Sequence, residues 1–302
     1  MRSAAPEDIR VTLSYALITP ARNEEAYIEL TIRSVVSQTV PPARWVIVSD
    51  GSTDRTDEIV SGYLPSHPWM RLVRMPERAE RHFAAKVQCF NAGYCALEEI
   101  AFEVVGNLDA DISFDPDYFA FLMGQFAADI RLGVAGTPFV ERENQVYDYR
   151  FTNIEHVSGA CQMFRRRCFE EIGGYTPVRG GGIDWIAVTT ARMKGWKTRT
   201  FTEKSCTHHR VMGTGGGGGL GVWFKHGKKD FALGGHPLWQ IFRAAYQMTR
   251  RPYIFGGASL LLGYIWAAAN RADRPVSPEL LQFYQAEQLR RLRAALRLGL
   301  KR

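Results

Sequence analysis

Cysteine is scarce in this chain of 302 residues: there are five, and no two of them form a CxxC pair. Such an odd, scattered set excludes a disulfide framework and a thiolate zinc site. Reduced thiols in the cytoplasm are the simple interpretation. The polar stretch at residues 1–10 has no apolar segment of the kind a signal peptide has. We therefore expect a cytoplasmic protein.

Two nucleotide-binding motifs are missing as well. After the first predicted strand the chain reads TPARNEE (residues 19–25), where a dinucleotide-binding fold would carry GxGxxG. The GxxxxGK(S/T) loop of P-loop enzymes is also absent. These absences exclude NAD, FAD and P-loop nucleotide chemistry. An uncharged run at residues 253–269 falls just short of the ~20 apolar residues that span a bilayer.

Acidic side chains are outnumbered. Lys and Arg number 38 against 31 Asp and Glu, which gives a net charge of +7. A basic balance favours acidic partners, namely nucleic acid, nucleotides or anionic lipid, and does not choose among them. No aromatic-basic RNA motif or helix-turn-helix pattern accompanies the charge, so we expect no nucleic-acid partner.

Short apolar strands alternate with helical segments as far as about residue 201. This alternation predicts an α/β fold with a mostly parallel sheet flanked by helices. Ligands of such sheets bind beyond the carboxyl ends of the strands. The predicted strands are residues 13–19, 45–49, 71–75, 102–108, 132–140, 160–164 and 197–201.

Acidic residues stand at several of these predicted strand ends. Asp50 begins DGSTD after the second strand, and its carboxylate can accept the imide N–H of uracil, although the motif taken alone favours a turn followed by a helix cap. Asp109 and Asp111 of the NLDAD segment form a dense negative spot, which a divalent cation such as Mg²⁺ or Mn²⁺ would relieve. Asp184 stands at the start of a later predicted helix, after three glycines. It is interpreted either as a general base or as an ordinary N-cap.

Taken in order over residues 14–209, these segments resemble the inverting glycosyltransferases of family 2, of the bacterial polysaccharide type. The resemblance implies a GT-A fold in which Asp50 contacts the nucleotide base. It implies that Asp109 and Asp111 hold the donor diphosphate through Mn²⁺ or Mg²⁺, and that Asp184 deprotonates the acceptor hydroxyl. The family often has an acidic pair at the base position, whereas this chain has Ile183 before Asp184.

Other positions receive roles from the same resemblance. We expect one of His208 and His209 to be a further metal ligand and choose His209. The glycine-rich residues 213–221 are interpreted as a lid over the donor site, or else a plain linker. The remaining residues expected to bind the nucleotide or the rest of the donor are Pro20, Arg22, Glu24, Lys86 and Arg210.

Two parts are predicted for the chain: a GT-A catalytic domain at residues 11–212, then a glycine-rich lid and helical region at residues 213–302. The run at 253–269 is a buried helix, an interfacial helix or a short span. The last helix, after Pro278, carries a basic stripe, so it lies on an anionic membrane or packs on the catalytic domain.

The leading hypothesis is transfer of a sugar from a nucleoside-diphosphate sugar, a UDP-sugar by preference, to a glycan or lipid-linked acceptor. The protein would be cytoplasmic and peripheral on the inner face of the cell membrane, with an anionic membrane surface as a partner. The alternatives are a sugar-phosphate nucleotidyltransferase, which usually has a GxGxR loop after strand one, and a non-catalytic nucleotide-sugar-binding relative.

Overall fold

The computed structural model describes residues 13–77, 83–141, 154–178, 180–210 and 219–299. Within them the chain forms ten strands and ten α-helices. The strands are β1 Tyr15–Ala21, β2 Arg44–Asp50, β3 Met70–Met75, β4 Val104–Leu108, β5 Ile112–Ser113, β6 Leu132–Gly136, β7 Phe139–Val140, β8 Cys161–Arg165, β9 Lys197–Thr200 and β10 Cys206–His208. The helices are α1 Ile28–Val36, α2 Thr56–Tyr63, α3 Phe83–Cys95, α4 Tyr118–Ala128, α5 Arg166–Glu171, α6 Ile183–Met193, α7 Leu220–Ala232, α8 Pro237–Met248, α9 Ile254–Ala269 and α10 Pro278–Gly299.

The main sheet has seven strands in the order β3-β2-β1-β4-β8-β6-β9. The first four are parallel to one another, and β6 pairs with β9 in parallel as well. Strand β8 runs antiparallel to both of its neighbours. The predicted α/β fold with a mostly parallel sheet flanked by helices is therefore confirmed.

Both faces of this sheet are covered. Side chains of a strand alternate between the two faces, so Leu17 and Trp45 contribute to one apolar core, while Ile18 and Val46 contribute to the other. Helices α1 and α4 pack over the first face, and α3 and α6 pack over the second. Burial on both faces explains why these strands read as nearly continuous apolar runs in the sequence.

The predicted strand at residues 132–140 is wrong as a single element. It divides into β6 in the main sheet and β7 in a small sheet of order β5-β10-β7. Pro138 lies between the two, and a proline cannot donate to a strand ladder, which favours a break at this point. The first helix, α1, begins at Ile28, seven residues after the end of β1. The small sheet brings the end of β10 next to the residues that follow β4.

Helices α7 and α9 cross at very close range because glycines lie where they meet. A Cβ atom on Gly227 would lie 2.0 Å from the carbonyl oxygen of Leu260, and one on Gly263 would lie 2.1 Å from that of Phe224. Only glycine allows two helix backbones to approach in this way. The glycines of the uncharged run are therefore packing residues of a helical C-terminal region.

We predict that Gly227→Ala destabilises the protein by about 3 kcal/mol, because the added methyl group forces the two backbones apart. Gly221→Ala is the matched control on the same helix, since an added Cβ at Gly221 meets no atom within 4 Å. The control should be neutral or stabilising by up to about 1 kcal/mol. Urea unfolding of both variants measures the difference, and equal midpoints would contradict the packing account.

Helix α10 packs against the catalytic half of the chain. Glu287 accepts two hydrogen bonds of 3.0 Å from Arg192 on α6, and both side chains are almost fully buried. Arg291 pairs with Glu155 at 3.0 Å, and Tyr284 lies edge-on to Trp185 at 4.4 Å between ring centroids. Of the two interpretations of this helix, packing on the catalytic domain is therefore the one the contacts favour.

Among the described helices, none combines the length and hydropathy needed to cross a bilayer. The five cysteines all lie in described parts of the chain, and no disulfide joins them. Most of the predicted lid at residues 213–221 lies outside the described residues, as does the predicted domain boundary at residue 212.

Candidate active site

The carboxyl ends of β1, β2 and β4 meet at one edge of the main sheet. Pro20 lies near the end of β1, Asp50 ends β2, and Asp109 directly follows β4. Strand β8 is antiparallel, so the residues that precede it, 156–160, reach this same edge. The edge therefore collects polar residues from both parallel and antiparallel strands.

Asp109 forms an ion pair with Lys86 from α3. Burial alone would lower the pKa of Lys86, but the charges of Asp109, Asp184 and Asp111 and the hydrogen bond to Asp109 outweigh it, and the pKa is raised. The ammonium group of Lys86 is therefore held in its charged form. It places one positive charge among three carboxylates.

Asp109, Asp111 and His208 form a cluster in which one ligand atom of each lies within 4.8 Å of the others. Nε2 of His208 is 3.6 Å from Oδ1 of Asp111. Nδ1 of His208 is hydrogen-bonded to the backbone carbonyl of Arg210. Because a carbonyl only accepts, Nδ1 must donate the proton of this hydrogen bond, and Nε2 is the nitrogen that faces Asp111 and could bind a metal.

His209, the expected third ligand, does not join this cluster. Its Nε2 lies 2.9 Å from Oγ of Ser113, and its ring stacks near Tyr27. Neighbouring residues at the end of a strand point to opposite sides, and β10 turns His208 inward. The structure thus replaces His209 with His208 as the candidate ligand.

The histidine pair gives a sharp prediction. His208→Ala should lower the affinity for Mn²⁺ by at least about tenfold, because loss even of an outer partner of a ligand costs that much. His209→Ala, one residue away, is the matched control and should retain the wild-type affinity. Titration of Mn²⁺ in the presence of a nucleotide measures both. An equal loss in the two variants, or none in either, would remove His208 from the site.

The donor set suits a hard divalent cation. Two carboxylates and one imidazole are ligands that Mn²⁺ and Mg²⁺ accept. Ligands of a single ion, each ~2.1 Å from it, lie within ~4 Å of one another, and the observed cluster is close to that spread. Asp109, Asp111 and His208 therefore fit a metal with small side-chain adjustments.

Arg210 lies across the outer side of this cluster. Its guanidinium forms an ion pair with Glu24 and lies 3.4 Å from Oδ2 of Asp111. It also stacks over the ring of Tyr27 at 5.5 Å. Arg210 thus links the loop after β1 to the metal-ligand cluster. An anion bound at the cluster would attract the guanidinium of Arg210.

Arg22 and Asp50 lie together at the ends of β1 and β2. Nη1 of Arg22 is 4.0 Å from Oδ2 of Asp50, and Asp50 is almost fully buried. Gly51 follows with φ of +64°, in the left-handed region that favours glycine, and lets the chain turn sharply after Asp50. The turn holds the carboxylate of Asp50 at the sheet edge.

Asp184 lies in the first turn of α6 rather than at the cap. The capping position belongs to Gly182, with φ of +96°, so the N-cap interpretation of Asp184 is wrong. A Cβ atom on Gly159 would lie 3.1 Å from Cβ of Asp184 and 3.3 Å from its Oδ2. The absence of a side chain at Gly159 therefore lets its backbone lie close to this carboxylate.

A single cavity of about 410 Å³ contains Asp184 together with Asp109, Lys86 and His208. Among the lining residues that the sequence analysis did not single out are Asn107, His156 and Lys229. They come from the end of β4, the loop before β8 and α7, respectively. Only Asn107 carried a signal, because it stands two residues before Asp109 at a strand end.

Asn107 and His156 add polar but uncharged groups. Nδ2 of Asn107 donates to the carbonyl of Gly159 at 2.8 Å, while its Oδ1 is buried without a partner among the described residues. Burial lowers the pKa of His156, which therefore stays neutral near pH 7. Both can exchange hydrogen bonds with hydroxyl groups.

Comparison with known proteins bears on this site. The model of the family described as "Glycosyl transferase family 2" matches residues 16–173, just over half of the chain. The chain belongs to glycosyl transferase family 2. The matched residues include Asp50, Asp109 and Asp111 but end before Asp184 and His208.

Several similar proteins are named as synthases of polysaccharides. The chain is 27% identical to poly-beta-1,6-N-acetyl-D-glucosamine synthase of Staphylococcus epidermidis over 199 residues, which cover 59% of this chain and 44% of the synthase. It is 24% identical to the probable glycosyltransferase YdaM of Bacillus subtilis over 226 residues, or 69% of this chain and 49% of that protein. The chain thus spans about half the length of these relatives.

Solved structures share the fold. The mannosyltransferase PcManGT of Pyrobaculum calidifontis, in complex with GDP-Man and Mn²⁺, superposes with a TM-score of 0.57 at 20% identity, covering 94% of this chain and 84% of that one. TarS residues 1–349 of S. aureus, in complex with UDP-GlcNAc, gives 0.55 at 13% identity, with 87% and 74% covered. The family 2 chain therefore has the GT-A glycosyltransferase fold, with helices after it.

Proposed function

We propose that this protein transfers a sugar from a nucleoside-diphosphate sugar to a hydroxyl group of a glycan or lipid-linked acceptor, with inversion at the anomeric carbon. One observation carries the proposal: a single cavity contains Asp184, a candidate base, beside Asp109 and His208 of the candidate metal cluster. Family membership and the donor complexes of the similar structures support it.

Each group has a distinct part in the proposed reaction. Asp50 and Arg22 bind the nucleotide base, with Pro20 shaping the loop beside them. Asp109, Asp111 and His208 would hold Mn²⁺ or Mg²⁺, and the bound cation would supply positive charge to stabilise the leaving diphosphate. Lys86 and Arg210 supply further positive charge toward the phosphates, and Arg210 exchanges its present carboxylate partners for the donor.

Asp184 accepts the proton of the acceptor hydroxyl. The hydroxyl oxygen forms a bond to the anomeric carbon from the side opposite the diphosphate, and the bond between that carbon and the diphosphate oxygen breaks. In-line displacement of this kind inverts the configuration. Asn107, with its unpartnered Oδ1, is placed to accept a hydrogen bond from a hydroxyl of the sugar or the acceptor.

Uracil is the base we propose for the donor, because the carboxylate of Asp50 can accept its imide N–H. For the acceptor, we propose a glycan or lipid-linked glycan presented at the inner face of the cell membrane. The polysaccharide synthases among the relatives support a glycan product.

Thermal unfolding with UDP, GDP, dTDP and CMP, each with Mn²⁺ and with EDTA, tests the donor site. A ligand at about 100 times its Kd adds about 2.7 kcal/mol, which should raise the midpoint by about 4 °C. We expect UDP to stabilise the protein with Mn²⁺ and not with EDTA, and Mn²⁺ alone is the control. No shift with any of the four nucleotides would contradict the proposal.

A further inference from the structure

The outer side of α9 is apolar and uncovered by the described residues. On this side, which we call the α9 face, each large side chain exposes between 45% and 68% of its area. Its members are Ile254, Phe255, Leu262, Ile265 and Trp266. Leu238 and Ile241 of the neighbouring helix α8 are 54% exposed and extend the apolar surface.

The exposure follows from how α9 is packed. Its opposite side, with Gly256, Leu260, Gly263 and Tyr264, is buried against α7 and α8. The members of the α9 face recur at helical spacing along the remaining side, so they form one continuous strip. Contiguous apolar surface of this kind marks an interaction site in a soluble domain.

Charge around the strip is mainly positive, and the nearest acidic residues in the sequence are Asp230, which pairs with Arg243, and Asp273. Residues 231–272 include no Asp or Glu and four arginines. Arg250 and Arg251 precede α9, and Arg271 follows it; all three are exposed. Nζ of Lys228 on α7 lies 4.2 Å from the ring centroid of Trp266. Cations therefore flank both ends of the apolar strip, with an aromatic ring beside one of them.

We propose that the α9 face docks on an anionic phospholipid bilayer. An apolar strip with Trp and Phe enters the boundary between headgroups and acyl chains, while flanking cations attract anionic headgroups. Charge complementarity favours lipid as the occupant, because anionic headgroups match the cations at both ends of the strip while acyl chains match its apolar middle. Helix α9 would lie in the plane of the membrane because its other side is committed to α7 and α8.

Docking through this face would bring the cavity near the lipid surface. Lys228 contacts Trp266 of the α9 face, and the next residue on α7, Lys229, lines the cavity. Helix α7 thus lies between the docked α9 face and the cavity. The functional value of this placement rests on the proposed function, in which the acceptor is a glycan or a lipid-linked glycan at the membrane.

Vesicle partitioning tests the docking. We expect the full chain to sediment with vesicles of phosphatidylcholine mixed with anionic phosphatidylglycerol, and far less with phosphatidylcholine alone. Leu262→Gln with Ile265→Gln should lower the partition coefficient by about tenfold. Ile254→Gln with Phe255→Gln is a second variant of the same face. Ile130→Gln, at a site 76% exposed outside the C-terminal helices, is the matched control and should bind as wild type does.

The role of the flanking arginines is tested by two matched double variants. Arg251→Gln with Arg271→Gln should weaken binding by about fivefold for each charge removed. Arg293→Gln with Arg297→Gln removes two exposed arginines from α10 and should leave binding unchanged. If the α10 pair abolishes binding while the α9 variants keep it, docking through α9 is overturned.

Two further outcomes would also overturn the inference: no partitioning of the wild type, or dimers that the α9 substitutions dissociate while no vesicle binding occurs. The latter would make the face an interface between copies of this chain. The nucleotide-dependent thermal shift, measured on every variant, separates the two proposals. Vesicle binding without a nucleotide-dependent thermal shift would contradict the proposed donor site alone. A thermal shift without vesicle binding would contradict the docking alone.

Discussion

Replacing Asp184 with asparagine is expected to lower the rate of sugar transfer by about a thousandfold and to leave nucleotide affinity unchanged. The carboxamide keeps the size of the side chain but cannot take the proton of the acceptor hydroxyl. The carboxamide adds no heavy atom to the side chain that packs against Gly159, so the substitution should not disturb the fold. Nucleoside-diphosphate release and the thermal shift with UDP and Mn²⁺ measure the two effects.

Asp117→Asn is the matched control for this variant. Asp117 is also an aspartate at the start of a helix, α4, and its carboxylate is exposed and pairs with Lys204. Its substitution should leave the rate unchanged. A rate for Asp184→Asn within tenfold of wild type would show that another group takes the proton.

Asp111→Asn is expected to remove the metal-dependent part of nucleotide binding and to reduce activity by about a thousandfold. Asp111 is preferable to Asp109 for this test, because loss of Asp109 would strand the charge of Lys86 in the cavity. Arg210 loses one partner but retains Glu24. The stabilisation by UDP should therefore become equal with Mn²⁺ and with EDTA.

The same variant should be no less stable than wild type when metal is absent. Clustered carboxylates repel one another, and a site built to hold a cation carries that repulsion without it. Asp57→Asn, which breaks an ion pair with Arg74 away from the cavity, is the control and should keep the metal-dependent shift. An Asp111→Asn protein that still needs Mn²⁺ for stabilisation would remove Asp111 from the metal site.

Much of the fold was predictable because its signals are local. Strand β1 is buried on both faces and reads as an unbroken apolar run, and Asp50 and Asp109 follow such runs directly. Since the ends of parallel strands share one edge, their proximity follows from the alternation of strands and helices. Their roles in binding remain predictions.

The rest depends on geometry that the sequence does not carry. The choice between His208 and His209 turns on which way β10 faces, and a strand of three residues gives no alternation from which to tell. His156 reaches the cavity only because β8 is antiparallel, so the residues before it, not after it, lie at the active edge. Lys229 arrives from α7 beyond the glycine-rich segment, where no spacing links it to the sheet.

The most direct test of the central claim is the release of nucleoside diphosphate in a single turnover. The donor is the nucleotide sugar whose base gives the thermal shift, and the acceptor is either a glycan or water. The account predicts release by the wild type with Mn²⁺, none with EDTA, and about a thousandfold slower release by Asp184→Asn. Release that continues in EDTA, or at an equal rate in the variant, would contradict a metal-dependent transferase site built from Asp109, Asp111, His208 and Asp184.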